Sequence, residues 1–140
     1  MITLWIVLGL ALGGASILPA RWMSPRQAWM GVLLAVVAMN AIYIGVALPG
    51  PTDVLLAETA VAMGVSTVAW LLHERRSRWL TACVLVHAVI DLGHLVLPGA
   101  PVPEWYVWVC LGYDVAFAAG ALRWAVVSRA PHTSLQSRTR

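Results

Sequence analysis

The chain has 140 residues, 61% of them apolar and only 11% charged, with a formal net charge of +3 and a mean hydropathy of +0.82. Water-soluble domains carry about 45 to 50% apolar and about 25% charged residues, so this composition excludes an ordinary soluble globule and, equally, a disordered chain. A helix needs roughly 20 residues to cross a hydrocarbon core, so five crossings fit the length with residues left for loops and a tail.

The apolar runs are sharply punctuated. Residues 2–20 form the first, ending at Pro19 and followed by a polar stretch over 21–27. It lacks the positive segment that precedes the apolar part of a signal peptide, so it is read as retained. The second run, 28–48, is closed by Pro49-Gly50-Pro51, and the third, 53–72, follows with Thr52 or Asp53 as its cap. The fourth, 79–97, stops at Pro98-Gly99-Ala100-Pro101, and the fifth, 105–127, precedes a polar tail. The pattern predicts an all-α bundle of five transmembrane helices over 1–128 and a loose cytoplasmic tail over 129–140. Cys83 and Cys110 lie inside apolar runs and read as small buried hydrophobes.

All nine basic residues are arginine. Arg21 and Arg26 follow the first run, Arg75, Arg76 and Arg78 follow the third, and Arg123, Arg129, Arg138 and Arg140 end the chain. The positive-inside rule then predicts an outer amino terminus, a cytoplasmic carboxyl terminus and a multi-pass protein of the cell membrane. These arginines would face anionic lipid headgroups, so the net charge calls for no nucleic acid partner. Of the eight tryptophans, Trp22, Trp29, Trp70, Trp79, Trp105 and Trp124 fall near helix ends, as an interfacial belt requires, whereas Trp5 and Trp108 lie deeper and are pocket candidates. Gly9-x-x-x-Gly13 and Gly112-x-x-x-Ala116-x-x-x-Gly120 are small-residue stripes suited to close helix packing, within the chain or in a homodimer.

Chemistry is expected where polar groups interrupt the apolar runs: Asn40 and Tyr43 in the second, Glu58 in the third, His87, Asp91 and His94 in the fourth, and Asp114 in the fifth. Ionisable groups are costly in a bilayer and should face the bundle interior and find partners. His87, Asp91 and His94 stand at i, i+4 and i+7 and share a helix face, as do Tyr106, Cys110 and Asp114. A metal ion is one reading, with one histidine and Asp91 completed by Glu58 or Asp114, and His94, Asp91 and Glu58 as the named set. His87 and His94, about 10 Å apart along the axis, should not share one ion. The other reading needs no cofactor. Three acids face only two histidines, so one carboxyl is expected to keep its proton and serve as a general acid.

The segments Asn40-Ala41-Ile42-Tyr43-Ile44-Gly45, Glu58, His87-x-x-x-Asp91-x-x-His94 and Pro103-x-Trp105-Tyr106-x-x-x-Cys110-x-x-x-Asp114 together resemble a family of small bacterial integral-membrane proteins of unknown function. The chain departs from that family at Ile90 and Leu95, where the family has tryptophan and histidine. The resemblance implies that these residues form one site and implies no activity. In having few helices and intramembrane acids beside histidine, the chain is similar, by analogy of site alone, to membrane sterol isomerases and small membrane terpene cyclases. The absence of lysine and the abundance of alanine, valine and arginine fit a GC-rich bacterial genome.

The sequence therefore predicts an intramembrane enzyme doing acid/base chemistry (isomerisation, cyclisation or epoxide opening) on a lipophilic small molecule. Asp91 or Glu58 would be the acid and Asp114 or the other acid the base, with His87 and His94 tuning them. Asn40, Tyr43, Tyr106 and Trp108 would bind and orient the substrate. A proton-coupled transporter, and a structural or accessory membrane subunit, are the alternatives.

Overall fold

A computed structural model of the chain describes residues 1–75, 79–96 and 102–127. They form five α-helices, α1 (Ile2–Ile17), α2 (Pro25–Ala47), α3 (Thr52–Glu74), α4 (Leu80–Val96) and α5 (Glu104–Val127), with a 3₁₀ turn over Leu18–Trp22 and no strand among the described residues. Four of the helices are long and apolar enough to cross a membrane, α1 with its 3₁₀ extension included. The fourth in order, α4, has 17 residues, about 26 Å of helix. The expected polar tail, Arg76, Arg78, Arg129, Arg138 and Arg140, and the stop at 98–101 lie outside the described residues.

Helix boundaries differ from the predicted runs where local chemistry intervenes. The first run does not stay α-helical to residue 20. Pro19 has no N–H for the next rung, and the Leu18 N–H bonds instead to the nearer Ala15 carbonyl, tightening the chain into the 3₁₀ turn. In contrast, α2 begins three residues earlier than the apolar run. Ser24 caps it, its Oγ accepting from the Gln27 N–H at 3.4 Å while the Ser24 N–H donates to Gln27 Oε1 at 2.9 Å, and Pro25 fills the first helical position. The cap expected from Thr52 or Asp53 is not formed: Pro51 occupies that place, and Asp53 stands in the first turn, where its charge favours the helix dipole.

The central helix is α4, which packs on α2, α3 and α5, while α2 and α3 form an antiparallel pair. On the far side of α5 lies α1, in the most extensive helix contact of the molecule. That contact is made through glycine. A Cβ at Gly9 would fall on the Val109 carbonyl, one at Gly13 on the Tyr113 carbonyl, and one at Gly112 on the Ile6 carbonyl, so both predicted stripes are engaged within the chain. At one end of the bundle, Trp29, Val32, Leu33 and Val36 of α2 pack with Leu80 and Val84 of α4 and Phe117 of α5 in a dry core. Leu4, Leu34, Met63, Val68 and Val89 point outward and are exposed, an apolar exterior unlike that of a water-soluble protein. The polar residues named from the sequence gather toward the other end.

Candidate functional site

The site is built on the buried face of α4, the face opposite its exposed Leu85, Val89 and Leu92. Its 3.6-residue period stacks His87, Asp91 and His94 along that face, and all three are buried, Asp91 completely. The spacing alone does not say which partner each finds. His87 Nδ1 lies 3.1 Å from Asp114 Oδ2 on α5 and 3.5 Å from Asp91 Oδ1, so one imidazole nitrogen stands between two carboxylates. His94 turns to α3, with its Nε2 2.8 Å from Glu58 Oε1 in a pair that is partly accessible.

Tyr43 of α2 joins the two groups. Its hydroxyl donates a short hydrogen bond to Asp91 Oδ1, and its ring stacks on His94 with centroids 4.5 Å apart and planes 11° from parallel. The same ring is 5.2 Å from that of His87. Tyr43, Asp91, His87 and Asp114 thus form a continuous polar chain across three helices, with His94 and Glu58 beside it. Three buried atoms of this assembly, His87 Nε2, Asp91 Oδ2 and His94 Nδ1, have no hydrogen-bond partner among the described residues. Such atoms are costly where water is excluded and provide contact points for a ligand.

A cavity of about 260 Å³ lies against this chain, between α2 and α5 with α4 behind it. His87 and Asp114 are in its wall together with Tyr43, Tyr106 and Cys110, and the rest of the lining is largely apolar, including Ala38, Met39, Ile42 and Val109. Asp91, Glu58 and His94 are not part of that wall. Ala38 and Ile42 are exposed on the outer side of α2, so the mouth of the cavity opens sideways on the apolar exterior of the bundle.

The remaining expectations separate. Asn40 is buried, yet its amide nitrogen donates to the Val36 carbonyl of its own helix at 2.9 Å rather than to an acid. Tyr106 reaches the cavity, its ring edge-on to Tyr43 at 6.4 Å. Trp108 does not: its indole N–H donates to Glu104 at 3.1 Å, and it lines a different cleft with Trp5 and Trp105. The side chains within one metal's reach are His87, Asp91 and Asp114, with one ligand atom from each inside a 4.8 Å circle. His94, paired with Glu58, stands outside that group, so His94, Asp91 and Glu58 are not brought together as a set. Two carboxylates with a neutral imidazole are a donor set whose charge would balance that of a divalent cation, with His87, Asp91 and Asp114 as the residues that would hold it.

Cys110, placed by the sequence on the face of Tyr106 and Asp114 but read as a small buried hydrophobe, stands in the wall, and Tyr113 is a wall residue not named from the sequence. Tyr113 neighbours Asp114 and is rotated about 100° from it around the helix, so face counting leaves it out. It lines the cavity nonetheless. Comparison of the chain with protein-family models, curated proteins and solved structures finds no match.

Proposed function

We propose that this chain is a small multi-pass enzyme of the cell membrane, carrying out acid/base chemistry on a lipophilic small molecule that enters from the bilayer. The observation that carries the reading is the His87–Asp114 pair set in the wall of an otherwise largely apolar cavity whose mouth opens on the outer, apolar side of α2. In the proposed topology all five helices cross, with the amino terminus outside. At about 26 Å, α4 falls only a little short of the hydrocarbon thickness, and it packs on α2, α3 and α5 along one face while Leu85, Val86, Val89 and Leu92 give it an exposed apolar face.

In this reading His87 and Asp114 exchange a proton with the substrate, and Asp91 is a positioning residue. Asp91 faces His87 Nδ1 from behind while Tyr43 holds its carboxylate in place, so the imidazole is oriented by groups that do not touch the reacting atoms. An isomerisation suits this arrangement. One proton leaves a substrate carbon for the pair and returns at another carbon, so atoms and charge balance without a second reactant. The largely apolar lining keeps bulk water from the reacting carbons, while the N–H and O–H protons of the pair exchange with solvent between turnovers, so solvent hydrogen is carried into the product. A cyclisation opened by protonation and closed by proton loss would use the same pair.

The test works whichever lipophile is the substrate. Purified protein in lipid nanodiscs, incubated with a bacterial lipid extract in deuterium oxide, should place deuterium in one class of lipophile, read by mass spectrometry. Asp114→Asn should lower that incorporation by about a hundredfold or more while the unfolding temperature stays close to that of the parent. No incorporation above a protein-free control, or an Asp114→Asn variant as active as the parent, would overturn the reading. Elemental analysis of the same preparation addresses the metal: a stoichiometric divalent ion, lost in Asp91→Asn, would turn the His87, Asp91 and Asp114 group into a metal centre.

A further inference from the structure

Beside the cavity at His87 and Asp114 lies a second, of about 220 Å³, between α1, α2 and α5; the two share Ala35 and Tyr113 as wall residues, and the second reaches Pro19 and Met23 near the 3₁₀ turn. Both walls are largely apolar. His87 and Asp114 stand in the first, and the second has, besides the shared Tyr113, a single side-chain hydroxyl, that of Ser16, which donates to the Leu12 carbonyl of its own helix at 2.9 Å. A mostly apolar occupant suits such walls.

We infer that the substrate is a single-chain linear lipophile, with its reacting group beside His87 and Asp114 and its apolar tail laid along α2 and α5 into the second cavity, past Tyr113 and Phe117. This rests on the acid/base reading for the identity of the reacting end. With about 220 Å³ beside the first cavity's 260 Å³, the two together take a longer chain than the first cavity alone. Tyr113, common to both walls, is held in place, its backbone close against Gly13 of α1 and its ring stacked on Phe117 with centroids 5.6 Å apart, so a chain that occupies both cavities passes beside a fixed ring.

Gly31 makes the tail site testable. It lies in the wall of the second cavity, and a Cβ there would meet nothing within 4 Å, so a side chain can start from this wall without a clash at its base. The probes are octanol and hexadecanol analogues with a terminal photoreactive diazirine, applied to the full chain in nanodiscs. The long probe should label peptides containing Met23 or Phe117, and the short one peptides around Ile42 and Val109. Gly31→Leu should weaken long-probe labelling about tenfold, the equivalent of about two methylenes no longer buried, and leave the short probe unaffected. Ser16→Leu, on the opposite wall, should do the same. Equal labelling by the long probe in parent and variants, or labelling spread over the outer faces of α3, would overturn the inference. Asp114→Asn should keep the labelling while losing deuterium incorporation, so failure of the tail site and failure of the chemistry are told apart.

Discussion

The two sides of α5 are built by opposite means. Toward α1 it presents Gly112 and Gly120, and at Gly112 the helices approach until backbone meets backbone, with no side-chain hydrogen bond needed. Toward α4 and α2 it presents Tyr106, Cys110 and Asp114, and there polar atoms are linked across helices while a cavity stays open beside them. Lipid is as apolar as a leucine side chain, so close van der Waals fit is what holds the first contact together. The second gives up that fit. A helix pair serving stability alone would resemble the first, and the polar, poorly filled side is therefore where function is sought.

The largest expected effect breaks the close-packed side. In Gly9→Val the new Cβ would lie on the Val109 carbonyl and 2.8 Å from the Tyr113 nitrogen, both backbone atoms that cannot swing aside. Overpacking of this kind should cost about 3 kcal/mol or more, seen as an earlier unfolding midpoint in a detergent titration followed by tryptophan fluorescence. The Trp5 and Trp105 rings, 5.4 Å apart across the same two helices, should report the separation. Gly14 is the control. A Cβ there meets nothing within 4 Å, and Gly14→Ala should be neutral or gain up to about 1 kcal/mol from helix propensity. Equal unfolding of Gly9→Val and the parent would remove the glycine contact from the account of stability.

Much of this architecture was legible because apolar runs bounded by proline and glycine leave few alternatives to helices. Even the start of α2 was written in Ser24-Pro25-Arg26-Gln27, a cap, a first-turn proline and a reciprocal glutamine, although the polarity of the stretch made it read as loop. The face shared by His87, Asp91 and His94 was legible for the same periodic reason. What a period along one helix cannot carry is the pairing between helices: His87 to Asp114, His94 to Glu58, and Tyr43 between them depend on the rotation of four helices about their axes. Which of the open sets lies within reach of one ion depends on the same rotations: among the described residues it is one histidine and Asp91 completed by Asp114, with His87 as the histidine, and not the named set of His94, Asp91 and Glu58. The cavity was beyond reach altogether, since it is defined by how far α2 and α5 stand apart.

A smaller effect sharpens the polar side. Tyr43→Phe keeps the ring that stacks on His94 and deletes only the hydroxyl that holds Asp91. A buried side-chain hydrogen bond is worth about 1 kcal/mol, and the loss should appear as a modest fall in unfolding midpoint. Deuterium incorporation should fall as well, because Asp91 would no longer be fixed behind His87. If the midpoint drops and incorporation does not, Tyr43 supports the fold and has no part in positioning the imidazole.

The smallest effect concerns a residue on α5 that belongs to neither side. Trp108 lies only two residues from Tyr106 and Cys110, close enough in sequence to be taken for part of the site, yet two residues turn a helix by about 200°. Its indole is thereby carried away from the cavity to Glu104 and the cleft it shares with Trp5. Trp108→Phe removes one hydrogen bond to an exposed carboxylate, so its unfolding midpoint should move by no more than about 0.5 kcal/mol and deuterium incorporation should stay at the parent level. A clear loss of incorporation would mean that the rotation of α5 is wrong, and with it the separation of its two faces.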